Sequence, residues 1–229
     1  MVVMAMTALL MALLLPALST AKEKSRRAVC KSNLRQLVMV MGIDAFQNDD
    51  LLPSCADNKG YYHSIVLSDV VFSNLVDDAG GNSNIFYCPN IVFGAGPVQQ
   101  TNDSGYVIGY SYLEESIANS IKGPDYTVEP VKWPSTSTNE LLADANYWTS
   151  VQTGTGCFPA QMKVAPHGAM GAAMAMGTSF TVGLPGGSSA SIGAVGGNIA
   201  FVDGSVVWRN LSKMQTNPAS SDNYAYGNW

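Results

Sequence analysis

MVVMAMTALLMALLLPALSTAKEKSRRAVCKSNLRQLVMVMGIDAFQ, residues 1–47, changes character once, and that change decides the fold. From Met1 to Leu18 only Thr7 and Pro16 interrupt an aliphatic and methionine run, and no charge occurs before Lys22. About twenty uncharged residues make ~30 Å of helix, the thickness of a bilayer's hydrocarbon core. Such a helix has no side that water solvates, so it needs lipid, a protein core or the packed helices of sister chains. After Ala21 the pattern becomes striped: Cys30, Leu34, Leu37, Val38, Met41 and Ala45 recur at helical spacing on one face. Residues 1–21 therefore read as the membrane-spanning or helix-packing half of one helix, residues 22–47 as its amphipathic half, and 48–229 as a globular domain. Pro16 removes a backbone hydrogen bond inside the apolar half and predicts a kink or local melting there. The other reading of the same residues is a signal peptide cleaved at Ser19-Thr20-Ala21, which would make the chain a secreted or anchored extracytoplasmic binding module; against it stands the lack of a basic region before the apolar run.

Charge divides along the same boundary. Up to Arg35 six basic residues (Lys22, Lys24, Arg26, Arg27, Lys31, Arg35) face Glu23 alone, a balance of +5. The whole chain carries 12 Lys and Arg against 17 Asp and Glu, so the remainder stands at −10, which argues against nucleic acid as a partner. By the positive-inside rule the basic cluster would stay cytoplasmic. The ~180 residues after the helix suffice for one domain with its own core. Cys30, Cys55, Cys88 and Cys157 form no CxxC and no tight Cys/His cluster, so the spacing argues against zinc. One disulfide or four buried thiols both fit an even count.

Beyond the helix, residues 47–60 (QNDDLLPSCADNKG) are dense in turn formers. Residues 63–76 (HSIVLSDVVFSNLV) lean towards a helix, and IFYCPN reads as a short strand stopped by Pro89. YVIGYSYL reads as one strand with Tyr106, Ile108, Tyr110 and Tyr112 on its core face. NELLAD, residues 139–144, is another short apolar element. Residues 167–197 are glycine-rich without a phosphate-cradling pattern and read as a surface excursion, with SFTV as a strand within it. In NIAFVDGSVVWR the Asp203-Gly204 dipeptide predicts a two-residue hairpin turn. Phe201 would then face Val206 and Ile199 would face Trp208, the four sharing one core face. The tail after Ser212 reads as a surface segment.

Little in the chain points to catalysis. His63 and His167 are the only histidines, and a Ser/His/Asp set drawn from His167, Asp144 or Asp203 has no G-x-S-x-G elbow to support it. The expectation is a non-enzymatic protein without a cofactor.

LLLPALSTAKEKSRRAVCKSNLRQL resembles the N-terminal helix of type IV pilin-like proteins, and within them the type II secretion pseudopilins of the bacterial class named for His, nine residues, then Asp-Gly. Pro16, Cys30, Asn33 and Leu34 stand in matching places. A second anchor is the hairpin with Asn198, Phe201, Asp203, Gly204 and Trp208, where Gly193 occupies the class histidine position. Aligned on LLLPAL, Met1 falls inside the mature helix and the usual leader and processing site are missing: either they lie upstream of a start assigned too late, which is the expectation, or this copy is not processed and assembled in the usual way.

The resemblance implies an α+β fold in which a long membrane-spanning helix continues into an amphipathic one that packs on a mainly antiparallel sheet with long glycine-rich loops. It also implies a single-pass protein of the bacterial inner membrane with its domain periplasmic or extracellular, the orientation opposite to the charge rule. The partners it implies are sister pilin or pseudopilin subunits, the inner membrane, and the secretion or pilus assembly machinery. Cys30 would pair with Cys88 beside Pro89, which the family also tends to carry. Several pseudopilins bind calcium in a C-terminal loop, and Asp203 and Asp222 would be the donors here, although no DxDxDG run exists.

Overall fold

The computed structural model describes residues 2–58, 62–91, 105–113, 131–133, 139–149, 162–168, 171–176, 189–219 and 225–229. One helix, α1 (Val2–Gln47), runs from the apolar start to the turn formers without a break at Pro16. The local melting expected there does not occur, and the Ser19 and Thr20 hydroxyls both donate to the Pro16 carbonyl (2.9 and 3.0 Å). Asp49 and Asp50 take positive φ and end the helix.

The two halves of α1 have different surroundings. Its eleven large apolar side chains between Val2 and Leu18 are 59–75% exposed, whereas Cys30, Leu34, Leu37, Val38, Met41 and Ala45 are buried. The predicted stripe is therefore the docked face. It lies against α2 (Asp69–Asp78) and strands β4 (Glu140–Asp144), β8 (Gly196–Phe201) and β9 (Val206–Asn210). Cluster formation follows from this contact: Leu34, Leu37, Met41, Phe72, Leu75, Phe86, Ile108, Tyr110, Leu142 and Val206 make one core. At roughly 1.5–3 kcal/mol for each large side chain buried, it is the main force holding the helix to the domain.

Among the described residues the domain holds three antiparallel sheets. β3 (Tyr110–Tyr112), β4, β8 and β9 form the four-stranded sheet under α1, in the order β3-β4-β8-β9. β1 (Val66–Leu67) pairs with β2 (Tyr106–Val107). The third sheet has five strands in the order β10-β11-β5-β6-β7: β5 (Tyr147–Thr149), β6 (Met162–Ala165), β7 (Ala173–Met176), β10 (Thr216–Pro218) and β11 (Ala225–Asn228). A second core, with Ile65, Val107, Leu113, Tyr147, Ile199, Ala225 and Trp229, fills the side away from α1. The chain is thus α+β, a long N-terminal apolar helix followed by antiparallel sheets.

Several local expectations need correction. Residues 63–76 contain β1 before the helix, which begins only where the Ser68 hydroxyl caps the Val71 N–H (3.3 Å). The IFYCPN strand is instead a 3-10 turn over Ser83–Phe86 running through a bend at Tyr87 to Cys88 and an exposed Pro89. YVIGYSYL divides into β2 and β3, which belong to different sheets, although Tyr106, Ile108, Tyr110 and Tyr112 do share the first core. The break falls at Gly109, where a Cβ would meet the Cys88 backbone nitrogen at 2.5 Å. The tail is only partly a surface segment: Lys213, Gln215 and Thr216 are exposed, but β10 and β11 join the five-stranded sheet, and Ala219, Ala225 and Trp229 are buried. SFTV lies outside the described residues.

The 196–210 hairpin forms, but its register differs by one residue. Ala200 faces Val206, Ile199 faces Val207 and Asn198 faces Trp208. The Gly204 N–H donates to Phe201 O (2.9 Å) and Gly204 alone takes positive φ (78°), so the connection is a type I turn with a left-handed glycine rather than a primed two-residue turn. The Asp203 carboxylate accepts from the Ser205 N–H (2.8 Å), which fixes the turn. That extra residue separates the expected wall: Asn198, Ala200, Val206 and Trp208 face α1, while Ile199 and Phe201 belong to the opposite core.

Candidate functional site

Below the apolar half of α1, six side chains distant in sequence meet in the interior. Glu23, Arg27 and Cys30 come from consecutive turns of α1. Cys88 arrives from the bend after the 3-10 turn, Asp144 from the end of β4, and His167 from the segment after β6. Cys30, Cys88 and His167 are 0% exposed, Asp144 1% and Glu23 3%.

His167 is the centre of the set. Its Nδ1 lies 2.8 Å from Glu23 Oε1, and its Nε2 lies 3.2 Å from Asp144 Oδ2 and 3.8 Å from Cys88 Sγ. Trp208 meets the imidazole edge-on at 5.7 Å and carries the Arg27 guanidinium over its ring at 4.2 Å. Arg27 Nε donates to Glu23 Oε1 (2.9 Å), and Asn90 Nδ2 donates to Glu23 Oε2 (2.7 Å). Arg26 in turn donates to Asn90 Oδ1 (2.9 Å). Asp144 Oδ2 accepts from the Asn198 backbone N–H (2.6 Å) and from Asn198 Nδ2 (2.9 Å), while Asp144 Oδ1 is buried with no hydrogen-bond partner among the described residues.

The electrostatics follow from this enclosure. Burial by itself would push His167 down, but hydrogen bonds and charge from Asp144 and Cys88 outweigh it and hold the imidazole up at about 10. Burial pushes Glu23 up, and its bonds from Arg27, Asn90 and His167 more than reverse that, leaving it below the usual carboxylate range. Of the two thiols, desolvation and the neighbouring Cys88 push Cys30 up. Cys88 is desolvated too, yet hydrogen bonds from Cys30 and His167 bring it down.

Cys30 Sγ, Cys88 Sγ, a carboxylate oxygen of Asp144 and a ring nitrogen of His167 all lie within 4.8 Å of one another. Two thiols, an imidazole and a carboxylate are a soft donor set of the kind that binds zinc. The sequence argument against zinc looked for ligands in close pairs, whereas these four come from four separate elements. A Cys/His/Asp triad is also a nucleophile arrangement, but here the thiol and imidazole have no solvent-exposed surface to meet a substrate.

The other expected positions have structural roles. Cys30 and Cys88 are brought together as expected, but as free thiols rather than as a bridge. Asn33 Nδ2 donates to Tyr87 O (3.0 Å), which also accepts from the Tyr110 hydroxyl (3.2 Å), so Asn33 helps place the Cys88 bend. Leu34 is fully buried. Asp203 is an exposed turn residue, and Asp222 lies outside the described residues. His63 is buried near Cys55 and is not part of the cluster. His167 is not on a surface excursion: its carbonyl accepts from Val195 N–H (3.0 Å) and Gly168 bridges to Ala194, beside Gly193. Glu23 and Asn90 were missed, and a lone acid among the six basic residues up to Arg35 was the one signal that would have found the first. Comparison of the chain with known family models, with curated proteins and with solved structures gives no match.

Proposed function

We propose that this chain is a non-catalytic structural subunit of a type II secretion pseudopilus or type IV pilus-like filament. Residues 1–21 hold it in a bacterial inner membrane with the domain outside the cytoplasm, and the same residues pack against sister subunits when the filament forms. The observation that carries this reading is the unequal exposure of α1: its first half is apolar on every side and wholly undocked, on a helix whose second half is fixed to the domain. The outer face of the docked half continues the apolar surface through Met39, Ile43 and Phe46 (63%, 45% and 84% exposed), which lie one above the other at i, i+4 and i+7.

A fully apolar helix exchanges lipid tails for neighbouring helices at little cost, because the tails are as apolar as leucine. That lets one segment serve as an anchor before assembly and as a filament core after it. The secretion or assembly machinery would then act on the subunit by moving it between these two environments.

Photo-crosslinkers placed at Leu13 and at Phe46 of the full chain in its native membranes test the reading. A ladder of multimers of this chain from both positions is expected. A membrane-integrated chain that gives only monomer from both, or a mature protein beginning at Lys22, overturns it.

A further inference from the structure

We propose that Cys30, Cys88, Asp144 and His167 form a mononuclear zinc site that staples α1 to the four-stranded sheet. The inference is independent of the filament reading, for it rests on the interior of the domain and not on the exposed stalk.

The donors fit the ion in number and kind. Four ligand atoms within 4.8 Å of one another lie close to the arrangement a tetrahedral zinc requires. Zn–S and Zn–N bonds of about 2.3 and 2.0 Å place donors ~3.3–3.8 Å apart, so side-chain adjustments of about 1 Å close the set. Calcium and magnesium are excluded as occupants by the two sulfurs, since both take oxygen ligands in larger number.

The surroundings fit as well. A histidine that binds metal through one nitrogen normally donates its other N–H to a carboxylate, which fixes ring orientation and strengthens the ligand. Glu23 is that carboxylate, at 2.8 Å from Nδ1, and it is itself held by Arg27 and Asn90. Nε2 is thereby turned towards Cys88 and Asp144. Asp144 is also oriented, by two bonds from Asn198 to one oxygen, while its other oxygen is a buried acceptor that nothing described satisfies. Buried polar atoms in that condition call for an explanation, and a bound cation is one.

The consequence is mechanical. Cys30 is the ligand from α1, and the other three come from the domain, so metal binding ties the stalk to the head at the point where the helix leaves the apolar region.

The full chain, purified in detergent micelles under reducing conditions and stripped with chelator, is titrated with Co²⁺ and then with Zn²⁺. One equivalent of Co²⁺ is expected, giving thiolate-to-cobalt charge-transfer absorption and the intense visible bands of a tetrahedral ion, both displaced by one equivalent of Zn²⁺. Cys88→Ser and Asp144→Asn each weaken binding by at least tenfold with near-ultraviolet circular dichroism retained, and Cys55→Ser leaves it unchanged. A reduced wild-type chain with native circular dichroism that binds no cobalt overturns the site whatever the variants do. So does cobalt binding that Cys88→Ser leaves undiminished, or recovery of a Cys30–Cys88 disulfide from native membranes by thiol trapping.

Discussion

Glu23 and His167 are 144 residues apart in the chain and 2.8 Å apart in the interior, both almost completely withdrawn from water. A carboxylate on the helix that leaves the domain and an imidazole deep within it thus share one hydrogen bond. The helix is positioned by a specific polar contact as well as by its apolar stripe, and this fixes its rotation and its height on the sheet.

Breaking that contact from one side leaves the other group buried without its partner. His167→Ala removes the imidazole that two buried carboxylates share, leaving Glu23 to Arg27 and Asn90 and Asp144 to Asn198, and a loss of about 3–5 kcal/mol is expected. Denaturant unfolding of the full chain in micelles checks it, with the double variant Glu23→Gln/His167→Gln costing less than the two single changes together.

Asp44 gives a pH signature at the far end of α1. Burial, followed by the charge of Asp78, pushes its carboxyl up from the ordinary value. A folded-state value above the unfolded one means that ionised Asp44 opposes folding at neutral pH, and that the opposition fades as pH falls through the folded value. Asp44→Asn is therefore expected to raise the melting temperature at pH 7, with the gain shrinking in acid. An equal gain at every pH would contradict the assignment.

Gly204 holds the hairpin turn with φ of 78°. A Cβ meets no atom there, so the cost of Gly204→Ala is backbone strain alone, about 1–2 kcal/mol. Gly204→Asn recovers part of it, because asparagine tolerates the left-handed region better than alanine does. Paired denaturation curves of the two variants measure the difference.

Phe46 is 84% exposed on the outer face of α1. Phe46→Asp is expected to shift the unfolding free energy by less than about 0.5 kcal/mol, as surface changes generally do. Under the proposed function it abolishes the crosslinked ladder while membrane integration persists. Unchanged multimers would show that this face makes no subunit contact.

How far each feature was legible in the amino-acid order depends on the range over which its cause acts. The length of α1, its stop after Gln47 and its buried stripe are properties of hydrophobic spacing within one helix, so residues 1–50 contain them all. The hairpin at 203–204 was visible as a dipeptide, but its register was not. One left-handed residue or two at the turn is decided by how the strands must face α1, and the interior wanted Ala200 and Val206 on that side. The division of YVIGYSYL had a similar origin, since both halves have strand composition and only the approach of Cys88 to Gly109 separates them.

What the sequence by itself determined was the long helix: an apolar rod joined to a striped one, followed by short strands that pair antiparallel. What only the tertiary structure decided was the chemistry, because Glu23, Cys30, Cys88, Asp144 and His167 have no mutual spacing that a linear reading can recognise. They become neighbours because hydrophobic burial docks the helix on the sheet, and that docking carries each polar side chain into a space where it must find a partner or remain unsatisfied.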